Sequence, residues 1–352
     1  LTAAGPIPKN TARVLLQIMK ELVRAHGNEQ RQLELAHDFR ACVSGNPRII
    51  RKQLRQYHLL EMPEEWNQLS FDDHVHDANT KGRKTSSHLI MDAWIKGIRR
   101  VRVVYYNCLE ARFAVEILEA ARIMGIDIRI GIEFYTRFRN RYVQLMWVPR
   151  GFSDAQDFLC FLEEPPVKEL MAEGKDVCSY QKDHVLNILQ AFNTNHAPNL
   201  QKALGLEVPI LDTSEFLSFV GTGQPSLVHL AEFAYAKMLP PMAARVGVLR
   251  DRYPKARHEE RLKIARLVQI MNQMDSDAIL EQFLRPEKNP QIPDPYTPQQ
   301  GPEIPGMLQL SPKEVINRLS KLHLGHRITL NLSDLQVEDV LELLYDCEGM
   351  IN

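Results

Sequence analysis

The chain has 352 residues, of which 44% are hydrophobic and 25% charged, enough for two domains or for one large barrel with an extension. Its net charge of −1 gives no global field toward nucleic acid or an anionic membrane, so either partner would need a local patch. The five cysteines are scattered, no apolar run is long enough for a membrane helix, and no signal-peptide pattern opens the chain; together these point to a reducing, cytoplasmic setting without disulfides, a thiolate zinc site or membrane contact.

In chain order, residues 9–60 read as three helices. Ala12, Val14, Leu15, Ile18, Leu22 and Val23 recur at helical spacing, with Asn10 as the candidate N-cap and Gly27 as the stop. A second helix runs over 33–42 and a third over 47–58. The third carries Arg48, Arg51, Lys52 and Arg55, which read as a solvated face. From residue 69 the pattern becomes strand–helix alternation, with strands expected at 101–106, 127–134 and 142–148. Helices are expected at 85–98, 109–124, 153–164, 180–194, 229–250 and 256–284. Such alternation implies parallel strands with right-handed crossovers. Residues 285–306 hold seven of the 21 prolines without periodicity, a linker or strap. A helix, a strand at 327–332 and a helix at 335–345 close the chain. The start at Leu1 and the stop at Asn352, straight after a helix pattern, read as a piece of a longer polypeptide.

His74 and His76 stand at i and i+2, so in an extended strand both imidazoles leave one face and can reach one cation. Asp72, Asp73 and Asp77 are available as ligands or as partners to the imidazoles. An ordinary polar strand end has the same residues.

The run from Phe71 to Phe134 resembles the opening of the polymerase-and-histidinol-phosphatase (PHP) family of metal-dependent phosphoesterases. His74-Val75-His76 matches its first strand end, Gly82 its loop glycine, Gly125-Ile126 a helix-ending turn, and Gly131-Ile132-Glu133 a later strand end. The resemblance implies an α/β fold, a PHP-like (distorted TIM-type) barrel. Its domains would be an N-terminal helical region at 1–66, the barrel core at 67–285, a Pro-rich strap at 286–306 and a C-terminal α/β segment at 307–352. In a parallel barrel, side chains at successive strand ends converge on one face, so the resemblance places His74, His76 and Glu133 around a divalent metal (Zn, Mn or Fe, one or two ions).

The departures bear on activity. Lys81 stands where the family has an aspartate, and Tyr106-Asn107 where it has Asp-His. In the family that first aspartate and that histidine help hold the same ion of a three-metal cluster. Their loss implies that one ion site has gone, with Lys81 placing a positive charge there; either the other ions survive or the whole site is dead. Ser226-Leu227-Val228-His229 is the best match to a later strand ending in a histidine ligand, although its apolar neighbours also suit a core histidine. The family's closing Asp-x-His has no clear counterpart.

Arg137, Arg139 and Arg141 alternate just after Glu133, so in an extended segment their guanidinium groups share one side and suit phosphate oxygens. A charged edge strand or a solvated loop has the same pattern. His184 and His196 lack partners at ligand spacing and read as structural or surface residues. Leu324-Gly325-His326-Arg327 resembles a histidine turn of barrel deaminases.

Three functions follow as expectations. The first is a metal-dependent phosphoesterase in which metal-bound hydroxide attacks a phosphoester, with His74, His76, Glu133 and His229 as ligands and Arg137, Arg139 and Arg141 holding the phosphate. Its substrate would be a phosphorylated small molecule or nucleic acid. The second is a catalytically degenerate module used for binding or scaffolding among other domains of a larger polypeptide. The third is an amidohydrolase-type deaminase.

Overall fold

An apolar core draws the first three helices together, and asparagine caps start the second and third. The computed structural model describes residues 8–61, 70–82, 84–299, 301–333 and 335–351. The expected domain boundary at 66/67, the strand start at residue 69 and the terminal Asn352 lie outside them. Helix α1 (Lys9–Arg24) starts after Pro8 rather than at Asn10, which lies inside the helix. Helices α2 (Glu29–Val43) and α3 (Pro47–Gln56) are capped by Asn28 and Asn46, whose side chains accept the backbone N–H of Arg31 and Arg48. Val14, Ile18, Leu35, Cys42, Ile50 and Leu54 pack into a small core among the three helices.

Strand β1 (Ser70–Val75) leads through helix α4 (Ser86–Lys96) to strand β2 (Ile98–Tyr106). The two strands pair in parallel, with Phe71 opposite Arg100 and Val75 opposite Val103. Thr85 caps α4, and Gly97, in the left-handed region at φ 74°, ends it. Helix α5 (Ala111–Met124) ends at Gly125 (φ 63°) and feeds strand β3 (Asp127–Phe138). The expected helix–turn–strand sequence through Gly125-Ile126 is present.

Beyond β3 the parallel expectation gives way. Strand β4 (Arg141–Pro149) pairs antiparallel with β3, from Ile132 opposite Trp147 to Phe138 opposite Arg141. A two-residue turn, Arg139-Asn140, closes this hairpin, with Arg139 at φ 55°. A turn this tight leaves no room for a crossover helix.

Helices follow: α6 (Ala155–Leu162), α7 (Pro165–Ala191), α8 (Ala197–Leu204), α9 (Thr213–Val220), α10 (Leu227–Arg252), α11 (His258–Asn272) and α12 (Ser276–Ile279). Their core includes Ile188, Phe192, Phe216, Leu230, Met238 and Ile279. Helix α7 is much longer than the expected 180–194, because Pro165 and Pro166 sit in its first turn, where a missing N–H is no loss. After the strap come α13 (Gly306–Gln309), α14 (Pro312–Leu322), β5 (His326–Leu330) and α15 (Val337–Asp346). Strand β5 pairs antiparallel with β4, completing a five-stranded sheet in the order β1-β2-β3-β4-β5. The architecture is mixed α/β.

The chain divides into two compact units: Leu1–Val75, Lys84–Val103 and Arg112–Ile130 form one, and His76–Arg83, Val104–Ala111 and Gly131–Asn352 the other. Among the described residues, no helix is long and apolar enough to cross a membrane.

The Pro-rich strap is held at fixed points. His184 Nδ1 donates to the Pro293 carbonyl at 2.9 Å. His196 Nε2 lies 3.0 Å from Oδ1 of the buried Asn289, whose amide donates to the carbonyls of Phe283 and Arg285. Both histidines thus act as struts.

Candidate metal centre and its pocket

The backbone leaving β1 turns sharply after His76. Asp77, fully buried, organises this turn by accepting from the Tyr105 hydroxyl (2.9 Å), the Asn79 backbone (2.9 Å) and the Asn79 amide (3.1 Å). Gly82 folds back so closely that a Cβ there would lie 2.2 Å from the His76 carbonyl oxygen. Of the flanking acids, Asp73 lies 3.4 Å from the Arg102 guanidinium and Asp72 accepts the His74 N–H at 3.3 Å. The acids around the His-x-His pair therefore hold backbone N–H groups, the Asn79 amide, the Tyr105 hydroxyl and the Arg102 guanidinium.

The sequence-predicted ligands His74, His76 and Glu133 come together. One ligand atom from each lies within 4.8 Å of the others, with His74 exposed, His76 partly exposed and Glu133 buried. His76 Nδ1 sits 2.8 Å from the Val104 carbonyl. A carbonyl only accepts, so Nδ1 carries the proton and Nε2 keeps its lone pair, the tautomer a metal-ligating imidazole needs. Glu133 is 3% exposed. Burial raises its pKa above the usual carboxylate range, and the charge of Lys81 draws it back down. Two imidazole nitrogens and one carboxylate oxygen suit a divalent transition ion.

The substituted positions sit beside this group. The Tyr106 ring stacks on His76 with centroids 4.8 Å apart, and its hydroxyl lies 3.4 Å from His76 Nε2. Burial first, and then the negative charge of Glu133, push the Tyr106 hydroxyl well above its ordinary pKa. The Lys81 ammonium lies over the Tyr106 ring, 5.2 Å from its centroid. Asn107 is fully buried in a left-handed conformation (φ 56°), and its N–H donates to the Glu133 carbonyl at 2.7 Å.

A cavity of about 240 Å³ is lined by Lys81, Tyr106, Tyr135, Gln181, Gln224, Pro225, Ser226, Val228, His229 and Tyr296. Burial pushes the Tyr135 hydroxyl up to about 12. Tyr135 and Tyr296 meet with ring centroids 5.7 Å apart, so the strap contributes a wall. Tyr135, Gln181, Gln224 and Tyr296 carried no signal in the sequence.

His229 departs from its expected strand end. It lies in the first turn of α10, where Ser226 caps the helix by accepting the His229 N–H at 3.2 Å. The run Ser-Leu-Val-His reads more simply as a cap than as a strand. His229 lines the cavity but is outside the ligand group. The arginine stripe is likewise not one extended segment. Arg137 is the next-to-last residue of β3, opposite Tyr142, Arg139 forms the turn, and Arg141 begins β4. Arg139 pairs with Glu342 and lies 3.4 Å from Asp339, and Arg141 lies 3.3 Å from Asp339, so α15 supplies their counter-charges.

No protein-family model matches the chain, and no curated protein matches it. Among solved structures, it is similar to an amidohydrolase from Chromobacterium violaceum at 14% identity and TM-score 0.47, over 80% of this chain and 74% of that one. It is also similar to a protein provisionally described as a metal-dependent phosphoesterase from Bifidobacterium adolescentis, at 12% identity and TM-score 0.43, over 79% of this chain and 74% of that one.

Proposed function

We propose that His74, His76 and Glu133 hold a divalent cation, and that the pocket beside them serves metal-dependent hydrolysis of a phosphoester. The observation that carries this reading is the approach of three ligand atoms to within 4.8 Å of one another, one of them on a buried carboxylate. When bound there, a divalent ion supplies an acidified water and positive charge for phosphoryl oxygens. The remaining roles belong to this chain's own groups. Lys81 offers an ammonium to phosphate oxygens, in place of arginines that face Asp339 and Glu342. Tyr106 and Tyr135 stay protonated across the physiological range and so act as hydrogen-bond donors. Ser226, Gln224 and His229 complete the polar lining, and His229 acts on the substrate rather than on the ion.

Elemental analysis of the purified chain tests the reading directly. Zinc, manganese or iron should be present in the wild type and lost from the His74→Ala/His76→Ala double variant. Hydrolysis of p-nitrophenyl phosphate or bis-p-nitrophenyl phosphate should disappear with it. A metal-free wild type that binds no added zinc or manganese sinks the proposal.

Two features favour a second reading, a binding module that has lost catalysis. The Tyr106 hydroxyl lies beside His76 Nε2, and the Lys81 charge acts on Glu133, as a built-in cation would. On this reading the wild type binds inorganic phosphate without metal, and Lys81→Ala abolishes that binding. On the hydrolase reading the same variant keeps its metal and raises KM for the phosphoester.

A further inference from the structure

The turn after β2 and the middle of α7 bring two thiols together, one of them against Tyr106 and Gln224 of the cavity lining. Cys108 and Cys178 are both free, both partly exposed, and their sulfurs lie 3.9 Å apart. Gly174, one helical turn before Cys178, permits this approach, because a Cβ there would sit 1.9 Å from the Asn107 carbonyl oxygen. The other cysteines differ: Cys42 and Cys347 are buried and Cys160 is exposed.

Cys178 is wired into the pocket lining. Its thiol lies 3.5 Å from the Tyr106 carbonyl and 3.5 Å from Gln224 Oε1. Gln224 in turn donates to Gln181 Oε1 at 2.7 Å, and Asn107 reaches the same oxygen at 3.5 Å. Tyr106, Gln181 and Gln224 all line the cavity. The two oxygen acceptors around Cys178 keep its sulfur in the thiol form, able to donate to Cys108, so the thiolate is favoured at Cys108, the nucleophile of the pair.

We propose that Cys108 and Cys178 form a reversible thiol–disulfide pair, oxidised by peroxide, that rearranges the polar wall of the pocket. The Cys108 thiolate attacks one peroxide oxygen, the O–O bond breaks, and a sulfenic acid and hydroxide result. Cys178 then attacks the Cys108 sulfur and water leaves. In sum, two thiols and one peroxide give one disulfide and two waters, with two electrons passing from sulfur to peroxide. Bonding draws the sulfurs from 3.9 Å to about 2 Å, which removes the S–H donor of Cys178 from Tyr106 and Gln224. The switch does not depend on whether a metal binds at His74, His76 and Glu133.

The full chain, reduced and then treated with hydrogen peroxide, tests this. Denatured thiol titration should fall from five per chain to three, and digestion without reductant should yield a Cys108–Cys178 linked peptide that dithiothreitol releases. Hydrogen exchange in peptides over 104–109 and 222–229 should change on oxidation of the wild type and stay unchanged in Cys178→Ser, or in Cys108→Ser should the first variant not fold. Absence of the linked peptide overturns the pair. A linked peptide with unaltered exchange in both segments overturns the switch.

Discussion

Glu133 and Arg139 stand on the same β3–β4 hairpin but meet different electrostatic conditions. Glu133 is buried, its ionised form is disfavoured by desolvation, and it faces two imidazoles. Arg139 is half-exposed at the turn, with Asp339 and Glu342 beside it. A buried carboxylate among imidazoles gains strongly from a cation, because both the Coulomb attraction and the relief of desolvation grow in a low-dielectric site. An exposed arginine with its own carboxylates has little left to gain from a phosphate. Charge type alone makes both clusters candidates for a site; burial and prior pairing separate them.

The largest expected effect is at Glu133. Glu133→Gln keeps the shape and removes the charge, and zinc or manganese affinity should fall by at least about 100-fold in calorimetric titration. Unchanged affinity would place the ion elsewhere and remove the contrast with the hairpin. Next comes Gly82→Ala, which forces a methyl against the His76 carbonyl. A loss of about 1–3 kcal/mol in urea unfolding is expected, together with weaker metal binding, since the same carbonyl belongs to a ligand residue. Asp339→Ala comes third. Asp339 is 4% exposed, accepts the Gln336 N–H at 3.1 Å at the start of α15, and serves both arginines. The cost should be about 1 kcal/mol, mostly the lost cap, because the arginine partners are about half-exposed and screened. Metal affinity should not move; if it does, the two clusters are coupled.

Much of this was legible in the sequence where a local rule had a single outcome. Asn28 and Asn46 cap helices as their type predicts, and the interval from His74-Val75-His76 through Gly125 to Glu133 brings the three candidate ligands together. The hairpin was hidden because Arg139-Asn140 lacks the glycine that usually marks such a turn, and Arg139 itself takes the left-handed conformation. His229 was misplaced because a short apolar run before a histidine fits a strand or a capped helix, and Ser226 decides for the helix only if read as a cap. Tyr296 was illegible for a different reason. It reaches the cavity from a proline-rich segment without periodicity, positioned by distant partners such as His184 and His196.

That strap supplies the smallest effect and a third condition for a buried ionisable group. His184 is 4% exposed, donates through Nδ1 to the Pro293 carbonyl, and among the described residues has no hydrogen-bond partner on Nε2. Burial lowers its pKa, partly opposed by the Pro293 hydrogen bond and the charge of Asp294. The unfolded chain therefore takes up the proton first as pH falls through the ordinary histidine value of about 6.5. Stability contributed by neutral His184 is fully present above that value and declines below it, until the folded state also protonates. The slope is at most about 1.4 kcal/mol per pH unit in that window. His184→Asn should flatten it, read as the pH dependence of unfolding free energy below pH 6.5. Hydrogen-exchange protection over 289–299, taken relative to the intrinsic rate at each pH, should fall with acidification in the wild type and lose that dependence in the variant. If the wild type shows no slope there, another strut fixes Tyr296 against Tyr135, and the pocket wall does not depend on the histidine.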